Sequence, residues 1–222
     1  ISVLKKNKID FISWVPDSLF KDLCFKFEDI YKEKHIVAAN EGSSIGLAIG
    51  YYLATGKIPV VYLQNSGLGN AVNPLISLAS SKVYKIPMIL IIGWRGETVK
   101  LKQIRDEPQH KEQGLITQQM LKTMNISYKI INHNSNFNNV FTSLKKKSQK
   151  LLKPMALLVR KNTFSKSKIN KVDRKYKKLF TREDALTTLI NELPKKFPRV
   201  STTGMLSREL NEINVRSNTE KN

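Results

Sequence analysis

Glu41 is the ionisable residue whose surroundings ask for a chemical explanation. It lies in Ala38-Ala39-Asn40-Glu41-Gly42-Ser43-Ser44-Ile45-Gly46-Leu47-Ala48-Ile49-Gly50. His35 to Ala39 reads as the end of a short apolar strand, and Asn40 to Ser43 as a turn with helix-start residues. An apolar helix follows, with Ile45, Ala48, Ile49, Tyr52 and Leu53 on one face, and Gly56-Lys57-Ile58-Pro59 stops it. A carboxylate at such a corner can compensate the helix dipole, worth a few tenths to about 1 kcal/mol. It can also be an acid facing a ligand. Gly42, Ser43, Ser44, Gly46, Ala48 and Gly50 are small enough to let a second backbone or a flat ligand come close. The residue types alone leave both readings open.

The elements around this corner alternate. A short strand at Ile9–Val15 is closed by Pro16, and Asp17 or Ser18 caps a helix running to about Tyr31. After the strand and helix containing Glu41, Pro59–Gln64 is a nearly continuous apolar strand, the pattern of a parallel sheet covered on both faces. It opens into the glycine-bearing loop Asn65-Ser66-Gly67-Leu68-Gly69-Asn70 and a helix through Ala79. The strand Pro87–Gly93 empties into a polar loop, Trp94 to Gln113, too long for a simple connector. A helix at Leu115–Met124, a strand at Tyr128–Ile131, a helix at Phe137–Leu152 and a strand at Met155–Arg160 follow. This order predicts an α/β fold: a doubly wound, mainly parallel sheet flanked by helices. Ligands of such sheets bind beyond the carboxyl ends of the strands. The Pro16-Asp17-Ser18 turn, Glu41, the Gln64–Asn70 loop and the Trp94–Gln113 loop would therefore converge on one edge.

The expected organisation is a domain over residues 1–160, a lysine-rich linker over 161–180 and the incomplete start of another domain over 181–222. In that last part Ala185–Leu193 reads as a helix, Val200–Gly204 as a strand and turn, and Ser207–Ile213 as a short helix. At 222 residues with 41% hydrophobic content the chain can bury a sizeable core. No apolar run reaches the roughly 18 residues of a membrane span, and no signal-peptide core follows the first lysines, so a cytoplasmic protein without membrane contact is expected. The single cysteine, Cys24, rules out an internal disulfide framework and reads as a small core residue. The net charge of +20 suggests nucleic acid. No aromatic-interleaved basic strand, zinc-ligand spacing or recognition-helix pattern accompanies it, so nucleic-acid binding is not expected.

Five stretches now stand in a recognisable order. They are Val15-Pro16-Asp17-Ser18, Ala39-Asn40-Glu41-Gly42, Gln64 to Asn70 with Asn73-Pro74-Leu75, Gly93-Trp94-Arg95-Gly96-Glu97, and Asp106-Glu107-Pro108-Gln109-His110. Together they resemble the N-terminal, pyrimidine-binding domain of the phosphonopyruvate decarboxylases, thiamine-diphosphate enzymes. The sulfopyruvate decarboxylases are similar, and the acetolactate-synthase-like enzymes more distantly so. The resemblance covers residues 1–165, and Thr202-Thr203-Gly204 with Ser207-Arg208-Glu209-Leu210 is similar to the start of the next domain.

The resemblance implies a function and assigns roles. The expected reaction is decarboxylation of a small 2-oxo acid, 3-phosphonopyruvate going to phosphonoacetaldehyde and carbon dioxide. The alternatives are a sulfopyruvate-decarboxylase-like subunit or a non-catalytic pyrimidine-domain interaction module. Glu41 is expected to hydrogen-bond the pyrimidine ring of the cofactor and drive its activation. Asn65, Gly67 and Gly69 are expected to contact cofactor or substrate. Asp17 is either an N-cap or a catalytic and substrate-orienting group. Arg95 is a candidate clamp for the substrate's acidic groups, and His110 a candidate proton relay; each is equally readable as a surface or loop residue. Trp14 departs from the family, which has glycine there, and its bulk would narrow the pocket. The family holds the diphosphate and Mg²⁺ with a Gly-Asp-Gly…Asn motif in its second domain, and that motif does not occur here. No metal ligand is therefore expected in this chain. A diphosphate-binding domain or subunit is the expected partner, within a homo-oligomer, and the chain alone should be inactive.

Overall fold

The computed structural model describes residues 1–99, 102–165, 180–194, 196–202 and 204–219. It divides into two units, Ile1–Ile169 and Asn170–Asn222. The elements of the first, in chain order, are α1 (Ser2–Lys6), β1 (Ile12–Trp14), α2 (Lys21–Tyr31), β2 (His35–Val37), α3 (Glu41–Thr55), β3 (Val60–Gln64) and α4 (Leu68–Ser77). Then come β4 (Ile89–Gly93), β5 (Thr98–Val99), β6 (Lys102–Gln103), α5 (Pro108–Thr123), β7 (Ser127–Ile131), α6 (Phe137–Leu151) and β8 (Met155–Val159).

Six strands form one sheet in the order β2-β1-β3-β4-β8-β7, every neighbouring pair parallel. β5 and β6 make a separate two-stranded antiparallel hairpin. The expected doubly wound α/β sheet is the observed one. Its alternating side chains feed two cores. Val60, Tyr62, Ile89, Ile91, Met155 and Leu157 pack on one face with Phe20, Phe27 and Phe141. Val61, Leu63, Leu90, Ile92, Ala156 and Leu158 pack on the other with Ile45, Leu68, Leu75 and Leu121. With both faces covered, the continuous Val/Ile/Leu runs of β3, β4 and β8 are what burial requires.

The chain leaves β1 in opposite directions for β2 and, after α3, for β3, so the sheet's switch point lies at β1 and β3. α3 packs across both strands. A buried polar link fixes its height: Ser13 Oγ donates to the Ser44 carbonyl at 2.8 Å, and Ser44 Oγ donates to Ser13 Oγ at 2.9 Å. Because α3 cannot slide along the sheet, its first residue is held at the carboxyl edge. Gly56, with φ of +68°, ends the helix in the left-handed region that glycine tolerates.

Several boundaries differ from the sequence expectation. Leu68, Gly69 and Asn70 belong to the first turn of α4, so the glycine-bearing loop is only the 3₁₀ turn Asn65–Gly67. The long loop after β4 is shorter too: it contains the β5–β6 hairpin, and α5 already starts at Pro108. In the second unit α7 (Arg182–Glu192) opens on a capping box of Thr181 and Asp184, and α8 covers Met205–Thr219, longer than expected. Ion pairs of Arg182 with Glu209 and of Arg216 with Glu183 link the two helices. No strand forms at Val200–Thr202 among the described residues. Most of the expected 161–180 linker lies outside the described residues. Among the described residues no helix is long and apolar enough to cross a membrane.

Candidate active site

Glu41 is the first residue of α3, and the Asn40 side chain caps that helix by accepting from the Ser43 N–H at 2.8 Å. Its carboxylate faces the start of α4. Asn70 Nδ2 donates to Glu41 Oε2 at 2.8 Å, while no hydrogen bond to Oε1 is found among the described residues. A Cβ placed on Gly67 would overlap Oε1 and the carboxyl carbon, and one on Gly42 would press on the Asn70 carbonyl at 3.0 Å. Two glycines therefore let two helix N-termini close around one carboxylate. Both N-termini present positive dipole ends, so an acid is the electrostatically favoured side chain at this corner.

Asp17 follows β1 and is buried, 7% exposed. Its Oδ1 accepts from the Leu19 N–H at 2.9 Å, capping the short turn Ser18–Phe20, whereas Oδ2 has no partner among the described residues. That free oxygen lies against the last residue of β4: a Cβ on Gly93 would overlap it. Burial pushes the carboxyl up to about 6, against the smaller opposing effects of the Leu19 hydrogen bond and the Arg95 charge. The two sequence alternatives for Asp17 are thus not exclusive, since one oxygen caps and the other is unspent. A cleft of about 280 Å³ lies beside it, lined by Trp14, Pro16, Asp17, Ser18, Lys21, Cys24 and Phe25. Trp14 itself stacks on His35 and Tyr62, with ring centroids 5.1 and 5.0 Å away. Its bulk fills core as well as lining the cleft.

Arg95 is already committed. Its Nε donates to Asp106 Oδ2 at 2.8 Å, its Nη2 reaches Asp106 Oδ1, and its Nη1 reaches Ser18 Oγ at 3.2 Å. Asp106 also accepts from the Gly96 and Glu107 N–H groups, and the Arg95 guanidinium above all, with these two bonds, holds its carboxyl well below the usual range. Arg95 therefore braces the loop after β4 against the turn after β1. Asn65 is similarly spent: its amide bonds the Arg95 backbone at N–H and carbonyl and donates to Thr117 Oγ1 at 2.9 Å. It ties β3, β4 and α5 together rather than facing open space. Gly69 has nothing within reach of an added Cβ. His110 is on the first turn of α5, not in a loop. Its Nδ1 is buried without a partner among the described residues, and burial together with the Arg95 charge lowers its pKa.

The structure thus gathers Glu41, Asp17, Gly67, Arg95 and His110 on the loops and helix starts that leave the carboxyl ends of β1 to β4. Sequence reading missed Asn70 as the partner of Glu41, Asp106 as the partner of Arg95, and Gly93 as the seat of Asp17. Only the Arg95–Asp106 pair left a trace, as opposite charges at the two ends of one loop. The other two depend on where β3 and β4 end relative to their neighbours.

A parallel sheet with an acid and two glycines at the switch point belongs to the class of α/β proteins that bind ligands at the strand ends. The thiamine pyrophosphate enzyme N-terminal TPP binding domain matches residues 1–122, and the chain belongs to this family. Sulfopyruvate decarboxylase subunit alpha of Methanococcus maripaludis is 37% identical over 120 residues, 54% of this chain and 67% of that protein. Phosphonopyruvate decarboxylase of Streptomyces viridochromogenes is 28% identical over 214 residues, 90% of this chain but 52% of that protein. The chain thus spans about half the length of the phosphonopyruvate decarboxylases it matches. The crystal structure of benzoylformate decarboxylase from Polynucleobacter necessarius superimposes with a TM-score of 0.53 at 16% identity, covering 86% of this chain and 34% of that one. That likeness establishes the fold.

The corner at Glu41 fits the pyrimidine half of thiamine diphosphate. A carboxylate whose Oε1 accepts no hydrogen bond among the described residues stands at a helix N-terminus, packed into the space that Gly67 leaves by having no side chain.

Proposed function

We propose that this chain supplies the pyrimidine-binding half of a thiamine-diphosphate-dependent 2-oxo acid decarboxylase, and that the substrate is 3-phosphonopyruvate. The observation that carries the reading is the Glu41 carboxylate, bonded through Oε2 and, among the described residues, without a hydrogen bond at Oε1, which packs against Gly67. Thiamine diphosphate, when bound, supplies the carbon nucleophile that adds to the keto group and accepts the electron pair left by carbon dioxide. Glu41 orients the ring of that cofactor by hydrogen bonding through Oε1. Asp17, its carboxyl pushed up by burial to about 6, can exchange a proton at Oδ2 near neutral pH. His110, largely neutral, is the second group able to move a proton at this edge. Arg95 acts through its grip on Asp106, shaping the wall of the site.

Mg²⁺ and the diphosphate are proposed to be held by a partner domain or subunit. Among the described residues no group of three or more His, Cys, Asp or Glu side chains is placed to hold a metal. That partner is proposed to seat on the apolar face beside Glu41, within an oligomer. The preference for phosphonopyruvate is supported by matches to its decarboxylases that run through 90% of the chain, into the second unit. The higher identity to sulfopyruvate decarboxylase alpha subunits, 37% over 120 residues and 40% over 96, supports sulfopyruvate as the second reading.

The test uses the protein assembled with its diphosphate-binding half, thiamine diphosphate and Mg²⁺. Carbon dioxide release is measured on 3-phosphonopyruvate and 3-sulfopyruvate for wild type and Glu41→Gln. The expected result is turnover of the phosphonate, lowered about 10²–10⁴-fold by the substitution. Preference for the sulfonate would transfer the assignment to the second reading. Turnover of neither, or an unaffected Glu41→Gln, would remove the catalytic reading.

A further inference from the structure

The pairing of Asn70 with Glu41 has no part in the function argued so far. Asn70 lies 29 residues beyond Glu41, in the first turn of α4, and its side chain reaches back across the gap between the two helix starts. Asn70 is exposed and Glu41 only half-buried, so water could satisfy both groups. A hydrogen bond in such a place adds little to folding stability, because bonds to water replace it when it breaks. What it changes is freedom: Glu41 has three side-chain torsions, and the amide selects the arrangement in which Oε2 is spent and Oε1 is not. The two glycines serve the same end. Gly42 lets the Asn70 backbone approach α3, and Gly67 leaves room for the carboxylate in the selected arrangement.

We infer that Asn70 is the positioning residue for Glu41, holding its carboxylate by Oε2 so that Oε1 is preorganised to meet the cofactor ring. This rests on the reading of Glu41 as the cofactor-facing acid. Asn70 touches neither cofactor nor substrate in this scheme and acts through Glu41 alone. Three consequences distinguish it from a residue that merely joins two helices. Truncation of Asn70 should weaken thiamine diphosphate binding, because the ligand must then order the carboxylate itself. The loss should disappear when Glu41 is absent. A carboxylate in place of the amide has no proton to donate to Oε2 and repels it, so it should not restore the placement.

The experiment is a double-mutant cycle on the protein assembled with its diphosphate-binding half. Asn70→Ala, Glu41→Ala and the double variant are compared by calorimetric titration with thiamine diphosphate in Mg²⁺ and by turnover. Asn70→Ala is expected to lower turnover by roughly 10- to 100-fold, the scale of a misplaced catalytic group. It should also weaken the cofactor by about 3- to 10-fold, with a change in melting temperature under about 2 °C. On the Glu41→Ala background the same substitution should cost less than about twofold in both readouts. The isosteric Asn70→Asp, which keeps the shape but cannot donate to Oε2, should lower turnover and cofactor affinity at least as far as Asn70→Ala, and it serves if the alanine variant folds poorly. Full additivity of the two substitutions, or an Asn70→Ala protein with wild-type affinity and turnover, would overturn the inference while leaving Glu41 in its role. A Glu41→Ala protein with wild-type turnover would overturn both.

Discussion

Asp17 shows how a single residue joins site and stability. Its burial pushes the carboxyl up to about 6, above the value near 3.9 of an unfolded chain. The native state therefore binds a proton that the unfolded state has released between about pH 4 and 6. The stability that this proton brings is present below pH 4 and is lost as pH rises through 6. At about 1.36 kcal/mol per pH unit, the ionised carboxylate costs up to about 3 kcal/mol at pH 8. Asn in this place keeps the acceptor for the Leu19 N–H but carries no charge. Asp17→Asn is expected to unfold at higher temperature than wild type at pH 8 and at the same temperature at pH 4, with reduced decarboxylation. His35 works in the opposite sense: burial lowers it to about 4, so its contribution is lost as pH falls from 6.5 towards 4. Comparison of variant with wild type at each pH cancels that background. A difference in melting temperature equal at both pH values would contradict the burial account of Asp17.

At the scale of elements, glycines decide how closely helix starts approach the acid, and they do so for different reasons. Gly67 has an ordinary φ of −81°, so alanine there strains no backbone, yet its Cβ would overlap the Glu41 carboxylate. Gly67→Ala is expected to lower turnover as far as Glu41→Gln, about 10²–10⁴-fold, with a melting temperature close to wild type. Gly96 has φ of +63° and faces the His110 carbonyl, so Gly96→Ala should cost about 1–3 kcal/mol of stability in denaturant unfolding. Equal effects on folding from the two would contradict this division. The strands and the Glu41 corner were legible in the sequence because apolar runs and helix-start residues act locally. The start of α5 was misplaced although Pro108 is a favoured first helical residue; the polar stretch Gln109–Gln113 masked it. Asn65 was expected to face ligand, because nothing local shows that its amide is taken by Arg95 and Thr117 across the sheet edge. Side-chain partners set by strand ends and helix crossings have no signature in spacing.

At the scale of the whole molecule, the proposed diphosphate-binding partner needs a surface to seat on. β2 is an edge strand, and Val37 on it is 56% exposed, with Leu47 on α3 at 38%. Between them runs a broad groove of about 730 Å³, lined by Phe11, Ala39, Ser43, Gly46, Leu47, Gly50 and Tyr51 among others. Neither Gly46 nor Gly50 has a neighbour within reach of an added Cβ, so the groove floor is open to a closely approaching backbone. An apolar surface lined by Ala39 and Ser43 on either side of Glu41, on a strand whose outer edge is unpaired among the described residues, suits the proposed seat of the diphosphate-binding partner. Leu47→Arg should test it cleanly. In the chain alone Leu47 is partly solvated, so the substitution should shift folding stability by no more than about 0.5 kcal/mol. In the assembly it would bury an unpaired guanidinium, a penalty of several kcal/mol. The expected outcome is a folded protein that sediments as the unassembled species, binds thiamine diphosphate weakly and releases no carbon dioxide from 3-phosphonopyruvate. Sedimentation unchanged from wild type, with full turnover, would place the partner on a different face.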